Sequence, residues 1–535
     1  MNVLDRLISW MAPQWGANRA RARLAVRHFE AVSVGRRTDG WHRLATDANA
    51  AAAGNALSFL RGQARDLVRN NPWARRGLRR IVTNTVGWGI RPKPTGRNPE
   101  LVAQRWREWA ETTQCDAAGR LTMYGLQRLV MRTVVESGEV LVRRRWRRPG
   151  DGLAVPLQLQ VLEPDFLDTG RDALVGDAGG AIVQGIEFDA IGRRAAYWLF
   201  DRHPGGLGAS TGGMVSPVSR RIPASEILHV YDQERAGQVR GPSWFASVDV
   251  LLHDFGDFQD ATIVKQKIAA CLTAFVTDLD GTGTPGLALP GTDSASQQPT
   301  DTFEPGAIIS LSPGKQVTMA NPPQATDYQS FSASCLRGVA AGLGVTYEDL
   351  TGDYSQVNFS SGRMGRLAHQ QDLHDWRWNM VIPQFCVPAW SWMLEAMALA
   401  NEAVDLAPAE WHPAPTPLLD VDKETMAYQR RVRNGQMTWP QMIRELGEDP
   451  DKMLDEIEQH GKELDRRGIA LDCDPRRMTA AGGTQQVWSA GSIVAWPPPP
   501  APTTLPAAPA ASGQPASDAP ATEDATDSSD DTTTE

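Results

Sequence analysis

The sequence predicts an α+β fold, mainly helical, with a β-rich subdomain inserted into the helical chain. Three observations carry that expectation. Residues 58–138 repeat apolar side chains at helical spacing between helix-start residues. Residues 139–231 change to short β-branched and aromatic runs divided by turn clusters such as PGDG and DAIG. Helical spacing then returns from Trp244 onward. With 535 residues, of which 41% are hydrophobic, several cores are expected, since single cores stop growing at roughly 250–300 residues.

Residues 1–57 are Ala- and Arg-rich with little periodicity and read as a basic arm ordered only against a partner. Ser58 is placed to cap a helix carrying Phe59, Leu60, Leu67 and Val68. Asn71-Pro72 opens a second, with Trp73, Leu78, Ile81, Val82 and Val86 inward and Gly87 and Gly89 ending it. Asn98-Pro99 opens a third, whose Leu101, Val102, Trp106 and Trp109 share a face, and Thr122 caps a fourth through Val135. EVLVRRRWR, LQLQVL, AIVQGIEFD, AAYWLF and ILHVYD are the strand candidates of a unit spanning 139–235.

Within 236–403 a long helix is expected from about Trp244 to Phe275, then a Gly/Thr/Pro/Ser loop at 280–302, strands near Ile308 and Val317, and helices around 328–342 and 361–403. Residues 404–478 carry helices at 422–434, 438–446 and 450–467. Residues 479–535 form a Pro/Ala/acidic tail with too little apolar surface to fold.

Cys115, Cys271, Cys335, Cys386 and Cys473 are scattered and form no C-x-x-C pair, so neither a disulfide framework nor a zinc site is expected. The opening MNVLDRLISWMAPQW lacks the layout of a signal peptide, and Glu395 interrupts the most apolar stretch, so no membrane partner is expected. The net charge of -9 conceals an asymmetry: residues 1–150 hold 28 basic against 11 acidic residues, and residues 478–535 hold seven acids and no base. Residues 151–477 are left with 26 basic against 45 acidic residues. A basic third fits nucleic-acid contact or a charged subunit interface, and Arg143, Arg144 and Arg145 form one of its short clusters.

Chemistry-bearing motifs are scarce. LSPGKQ at 311 and HGKE at 460 lack the loop glycine and the Ser/Thr of a phosphate cradle, and DGTGTPG at 280–286 reads as a flexible loop. No H-E-x-x-H or G-x-S-x-G occurs. His229 is expected as a packed or hydrogen-bonded strand residue, and Asp420, Asp422 and Glu424 as caps and dipole partners of a helix start. Trp73, Trp106, Trp109, Trp376 and Trp390 occupy helical apolar positions and are expected in the core rather than as base-stacking platforms. No catalytic residue, metal site or cofactor is expected, and the chain is not read as an enzyme.

Three stretches resemble the lambda family of phage portal proteins: ARDLVRNNPWARRGLRRIVTNTVGWGIRPKP at 64–94, ILHVYDQERAGQVRGPSWFASV at 227–248, and LRGVAAGLGVTYEDLTGDYSQVNFSSGRMG at 336–365. The resemblance spans about residues 60–470, and Gly362 stands where Ala is expected. It implies a portal fold with wing, stem, clip and crown regions and a ring, usually of twelve copies, at one capsid vertex. On that pattern 58–138 belongs to the wing, 139–235 to clip or wing, 236–403 to stem and wing, and 404–478 to the crown.

The implied partners are the chain itself, double-stranded DNA held without sequence preference, the terminase large subunit, major capsid or scaffold protein and head-tail connector proteins. Assembly would take place in the bacterial host cytoplasm. Residues 350–360 match the family's tunnel loop, making Asp353, Tyr354, Ser355, Gln356 and Asn358 the candidate DNA-channel residues. The residues alone also leave open an inter-subunit connector anchored by Tyr354 and Phe359. The acidic middle of the chain suits a lining that passes DNA without gripping it, because each phosphate bound adds salt-sensitive affinity. Opposite charge in the two parts suits a repeated head-to-tail interface. A DNA-packaging enzyme and a DNA-binding scaffold are the alternatives.

Overall fold

The computed structural model describes residues 47–49, 56–175, 180–206, 218–270, 274–278, 315–319, 328–415, 417, 419–469 and 471. Most of the arm, the loop 280–302, the strand near Ile308, Cys271, Cys473 and the tail lie outside them. The chain divides into a unit ending at Pro450 and a second beginning at Asp451.

Helix α1 (Ala56–Asn70) starts ahead of the expected Ser58 cap, and Phe59, expected inward, is 68% exposed. Its buried face is Leu57, Arg61, Ala64 and Val68, so an arginine fills a position that reads as surface in the sequence. Helix α2 (Pro72–Val86) begins as expected. The Oδ1 of Asn71 accepts the backbone N–H groups of Trp73 (2.9 Å) and Ala74 (3.2 Å), and Pro72 occupies the first turn, where no N–H is needed. Asn71→Ala is expected to cost about 1 kcal/mol, read as a lower urea midpoint at unchanged slope.

Strand β1 (Arg91–Pro94), helix α3 (Pro99–Ala110) and helix α4 (Met123–Ser137) follow. Leu78, Ile81, Val102, Trp106, Trp109, Leu126 and Met131 bury together as the helical core. Trp390 is buried with them, while Trp73 and Trp376 are partly buried against the same core. Gly138 ends α4 at φ 88, and its backbone lies against Gly241 so closely that a Cβ on either would stand 2.3 Å from the other's carbonyl oxygen. Only glycine satisfies both demands there.

Strand β2 (Glu139–Trp146) is flanked antiparallel by β3 (Leu157–Leu162) and β9 (Ile227–Tyr231). Alternation assigns its faces: Val140 and Val142 join the helical core with Leu157, Leu159, Leu228 and Val230. Leu141 faces the other way, into a second core with Leu162, Ile186, Tyr197, Leu199, Ile222 and Ile227. That second core lies against a five-stranded meander of β4 (Ala173–Val175), β5 (Gly180–Val183), β6 (Ile186–Phe188), β7 (Arg194–Phe200) and β8 (Ser219–Pro223). The run AIVQGIEFD is therefore two strands. Gln184 (φ 48) and Gly185 (φ 81) turn the chain between them, the positive-φ pair that a tight hairpin requires. Strands β4 and β8 were not expected; SRRIP lacks apolar alternation, with only Ser219 and Ile222 buried.

The expected helix from Trp244 to Phe275 is shorter. A 3-10 turn at Trp244–Ser247 precedes α5 (Asp249–Ala270), and Phe275 lies in β10 (Ala274–Asp278), paired antiparallel with β11 (Lys315–Met319). Helix α6 (Tyr328–Leu343) packs on α5, Phe258 meeting Tyr328 (ring centroids 5.8 Å) and Phe331 (4.7 Å). A short helix α7 (Tyr347–Thr351) leads to α8 (Phe359–Asp375), which continues through an eleven-residue π-helical stretch, Trp376–Cys386, into α9 (Val387–Leu399). Pro383 lies inside the π stretch, whose wider turn accommodates a residue that cannot donate and that crowds an α-helical carbonyl. Strand β12 (Ala409–His412) returns to pair with β1. Helices α10 (Val421–Arg433) and α11 (Trp439–Glu445) complete the first unit. Asp420 caps α10 by accepting the Lys423 N–H (3.2 Å), the use expected of it.

Helix α12 (Pro450–Arg467) supplies most of the described part of the second unit, and on it Glu463 pairs with Arg466 and Arg467. Among the described residues no helix is long and apolar enough to cross a membrane, and Cys115, Cys335 and Cys386 are free thiols.

Candidate DNA-channel segment

The channel candidates sit between α7 and α8. Thr346 caps α7 by accepting the Asp349 N–H (3.1 Å), and Gly352 ends it at φ 75 by donating to the Glu348 carbonyl (2.7 Å). Leu350, fully buried, fastens α7 to the helical core. The expected loop of 350–360 is therefore too long at both ends: Leu350 and Thr351 belong to α7, and Phe359 and Ser360 begin α8. The irregular segment is 352–358.

Within it, Asp353 Oδ1 accepts the Ser355 N–H (3.0 Å), and hydrogen bonds from Ser355 hold the Asp353 carboxyl below its ordinary value. Tyr354 is 58% exposed. Gln356 is exposed and makes no hydrogen bond among the described residues. Asn358 is committed elsewhere. Its Oδ1 accepts the Ser361 N–H (2.8 Å) while its own N–H donates to Ser361 Oγ (3.1 Å), a reciprocal cap of α8. The site thus reduces to Asp353, Tyr354, Ser355 and Gln356 as side chains presented outward, with Asn358 fixing the exit.

The chain leading into the segment is fastened to α2. Before the segment, Arg76 Nε donates to the Asp349 carbonyl (3.0 Å), and Arg80 (3.8 Å) and Asn84 (3.4 Å) approach the Asp349 carboxylate. Farther along, at the other end of α8, the buried Arg377 donates to the carbonyls of Asn84 (2.6 Å) and Thr85 (2.7 Å) near the C-terminus of α2, where a cation is favoured. A polar segment with one carboxylate is thereby presented from a rigid base. It can approach phosphates without the counterion release that strong binding entails.

A second polar constellation joins the β-rich unit to the helices. Glu139, fully buried, accepts from Arg240 Nε (2.9 and 2.8 Å) and lies 2.9 Å from His229 Nε2, with Arg61 at 3.5 Å. His229 is a hydrogen-bonded core residue as expected, but its partner was not anticipated. The signal was present: Glu139 stands at an inward strand position among Val140, Leu141 and Val142. Glu163, Asp165 and His203 could geometrically hold a cation. Arg65 lies 2.6 Å from Asp165 and 3.3 Å from Glu163, and Arg61 lies 3.5 Å from Asp165. Burial pushes the Asp165 carboxyl up, yet the hydrogen bond from Arg65 and the Arg61 charge hold it below its ordinary value. The guanidinium groups already occupy the place of a cation, and the cluster is an ion-pair node.

The chain thus combines a long helix continued through a π stretch, two packed helices, α5 and α6, and an exposed polar segment. The sequence signature of phage portal proteins of the lambda family matches residues 34–377. The chain belongs to that family. Its general role is that of a portal, a ring of subunits around a DNA channel in the viral capsid. It is 27% identical over 442 residues to the probable portal protein of Halomonas phage phiHAP-1, covering 77% of this chain and 81% of the relative. It is 26% identical over 363 residues to the portal protein of Escherichia phage N15, covering 61% and 66% respectively. Among solved structures, a chain from the neck of an empty gene transfer agent particle is similar at 16% identity and a TM-score of 0.46. That match covers 74% of this chain and 95% of the other.

Proposed function

We propose that twelve copies of this chain form one ring at a single capsid vertex, through which double-stranded DNA is packaged and later ejected. The ring docks the terminase large subunit during packaging and head-tail connector proteins afterwards, and it contacts the major capsid or scaffold protein. Segment 352–358 is its tunnel loop. The observation that carries this reading is the fastening of the chain leading into that exposed segment, where Arg76 of α2 holds the Asp349 carbonyl and Leu350 is fully buried. A loop that slides on DNA needs a rigid base and a weakly binding tip. Helices α5 and α6 make the stem, the strand pair β10 and β11 the clip, residues 139–235 a wing subdomain, and 404–478 the crown. The support for stem and clip is the antiparallel pairing of β10 with β11 beyond two mutually packed helices.

Gln356→Lys tests the loop, because this side chain supports nothing in the fold. Rings should form normally, while in-vitro packaging slows or DNA is retained in a salt-dependent manner, one added cation contributing about 0.9 to the salt slope. Normal packaging by Gln356→Lys, combined with loss of rings in Tyr354→Ala, makes the segment an inter-subunit contact instead.

A further inference from the structure

Strand β2 carries a row of arginines that make no ion pair among the described residues. Arg143, Arg145 and Arg147 occupy alternate positions, and the ladder continues past the strand's end through the Arg147 N–H donating to the Pro156 carbonyl (2.9 Å). Their side chains therefore leave one face. Arg145 Nε donates to Gln160 Oε1 (2.8 Å) and Arg147 Nε to Gln158 Oε1 (2.7 Å), both on the neighbouring strand β3. These amides orient the guanidinium groups without neutralising them. Among the described residues none of the three arginines makes an ion pair. Arg143 senses Glu226 and Asp201 only at longer range, and burial together with the neighbouring Arg145 charge lowers its pKa. Three other arginines of these sheets are paired, Arg144, on the opposite face, with Glu395 (2.9 Å), Arg220 with Asp201 (2.8 Å) and Arg221 with Glu187 (2.9 Å), while Arg194 donates to the Tyr231 hydroxyl and the Val239 carbonyl.

A rigid line of like charges is unfavourable alone and is relieved by an anion of matching periodicity. Alternate residues of an antiparallel strand stand ~6.8 Å apart. Phosphates of one strand of duplex DNA rise ~3.4 Å each along the axis and also wind around it, which sets adjacent phosphates roughly 7 Å apart, so successive arginines match successive phosphates. We propose that Arg143, Arg145 and Arg147 form a binding site for the phosphate backbone of double-stranded DNA, on a surface separate from segment 352–358. The contact is sequence-independent, since it uses charge and backbone spacing and reaches no base edge.

The test is the salt dependence of binding of a fluorescent DNA duplex to intact rings. Arg143→Gln/Arg145→Gln/Arg147→Gln should reduce the slope of log K against log salt by about 2.7, at about 0.9 per phosphate contact, with rings unchanged in micrographs. Arg145→Gln/Arg147→Gln, which spares the more buried Arg143, should reduce it by about 1.8 on the same basis. Arg75→Gln/Arg79→Gln, two exposed α2 positions, serves as the charge-matched control and should leave the slope as it is. An unchanged slope in the double variant overturns the proposal, as does an equal fall in the control or absence of duplex binding by wild-type rings. If polyglutamate binding is lost in the row variants while the duplex slope stays constant, the row meets an acidic protein surface and the DNA assignment is overturned. The channel reading is tested independently by packaging in Gln356→Lys.

Discussion

Glu139→Ala is expected to destabilise the first unit by about 3–5 kcal/mol, the effect of leaving a buried charge without its partner. The substitution strands Arg240, 1% exposed, and removes the acceptor facing His229 Nε2 and Arg61. It also removes the carboxylate oxygen that accepts the Gly241 N–H (3.3 Å) at the closest backbone approach between the two parts of this junction. A urea midpoint equal to wild type in Glu139→Ala would show that the junction contributes nothing.

The same cluster sets the expected pH dependence. Burial pushes the Glu139 carboxyl up, but the Arg240 charge and hydrogen bonds from His229 and Arg240 hold it well below the usual carboxylate range. Burial lowers His229 despite that carboxylate, so the folded protein holds a neutral imidazole donating Nε2–H. Both groups have folded values below their unfolded ones, near 4.5 and 6.5. The stability each contributes is complete above its unfolded value and is lost as pH falls. Thermal midpoints should therefore decline on acidification from about pH 6.5, and Glu139→Gln should flatten the carboxylate part of that decline.

Trp109→Ala is expected to cost about 3–5 kcal/mol as a large-to-small core substitution. Trp109 is fully buried, meets Trp106 edge-on with ring centroids at 6.0 Å, and its Nε1–H donates to the Leu157 carbonyl (2.7 Å). It thus links α3 to β3. Trp109→Phe keeps most of the apolar contact and leaves that carbonyl without its donor, so its cost should fall to about 1–3 kcal/mol. Equal midpoints for the two variants would show that the hydrogen bond, and not ring volume, decides stability here.

What was legible in the sequence is what depends on neighbours a few residues apart. Asn71-Pro72 and Thr122 announce helix starts because caps are local chemistry, Pro99 does so by its place in the first turn although Asn98 makes no cap, and Trp106 and Trp109 announce burial because helical spacing puts them on one face. Three stretches in consistent order, 64–94, 227–248 and 336–365, carried the resemblance to the family, and the last located the candidate loop to within two residues at each end. Tertiary structure decided the rest. Arg61 reads as a surface residue until Glu139 and Asp165 arrive from distant strands to balance it. The run AIVQGIEFD reads as one strand because hairpin geometry rests on two backbone angles, at Gln184 and Gly185, and not on apolar spacing. Asn358 reads as a free polar tip until the backbone of α8 turns toward its side chain. Whether a charge is paired, tethered or exposed depends on groups that meet only in three dimensions. Arg144 and Arg145 are therefore neighbours in the chain with opposite surroundings: one faces Glu395, and the other is held by an amide and makes no ion pair among the described residues.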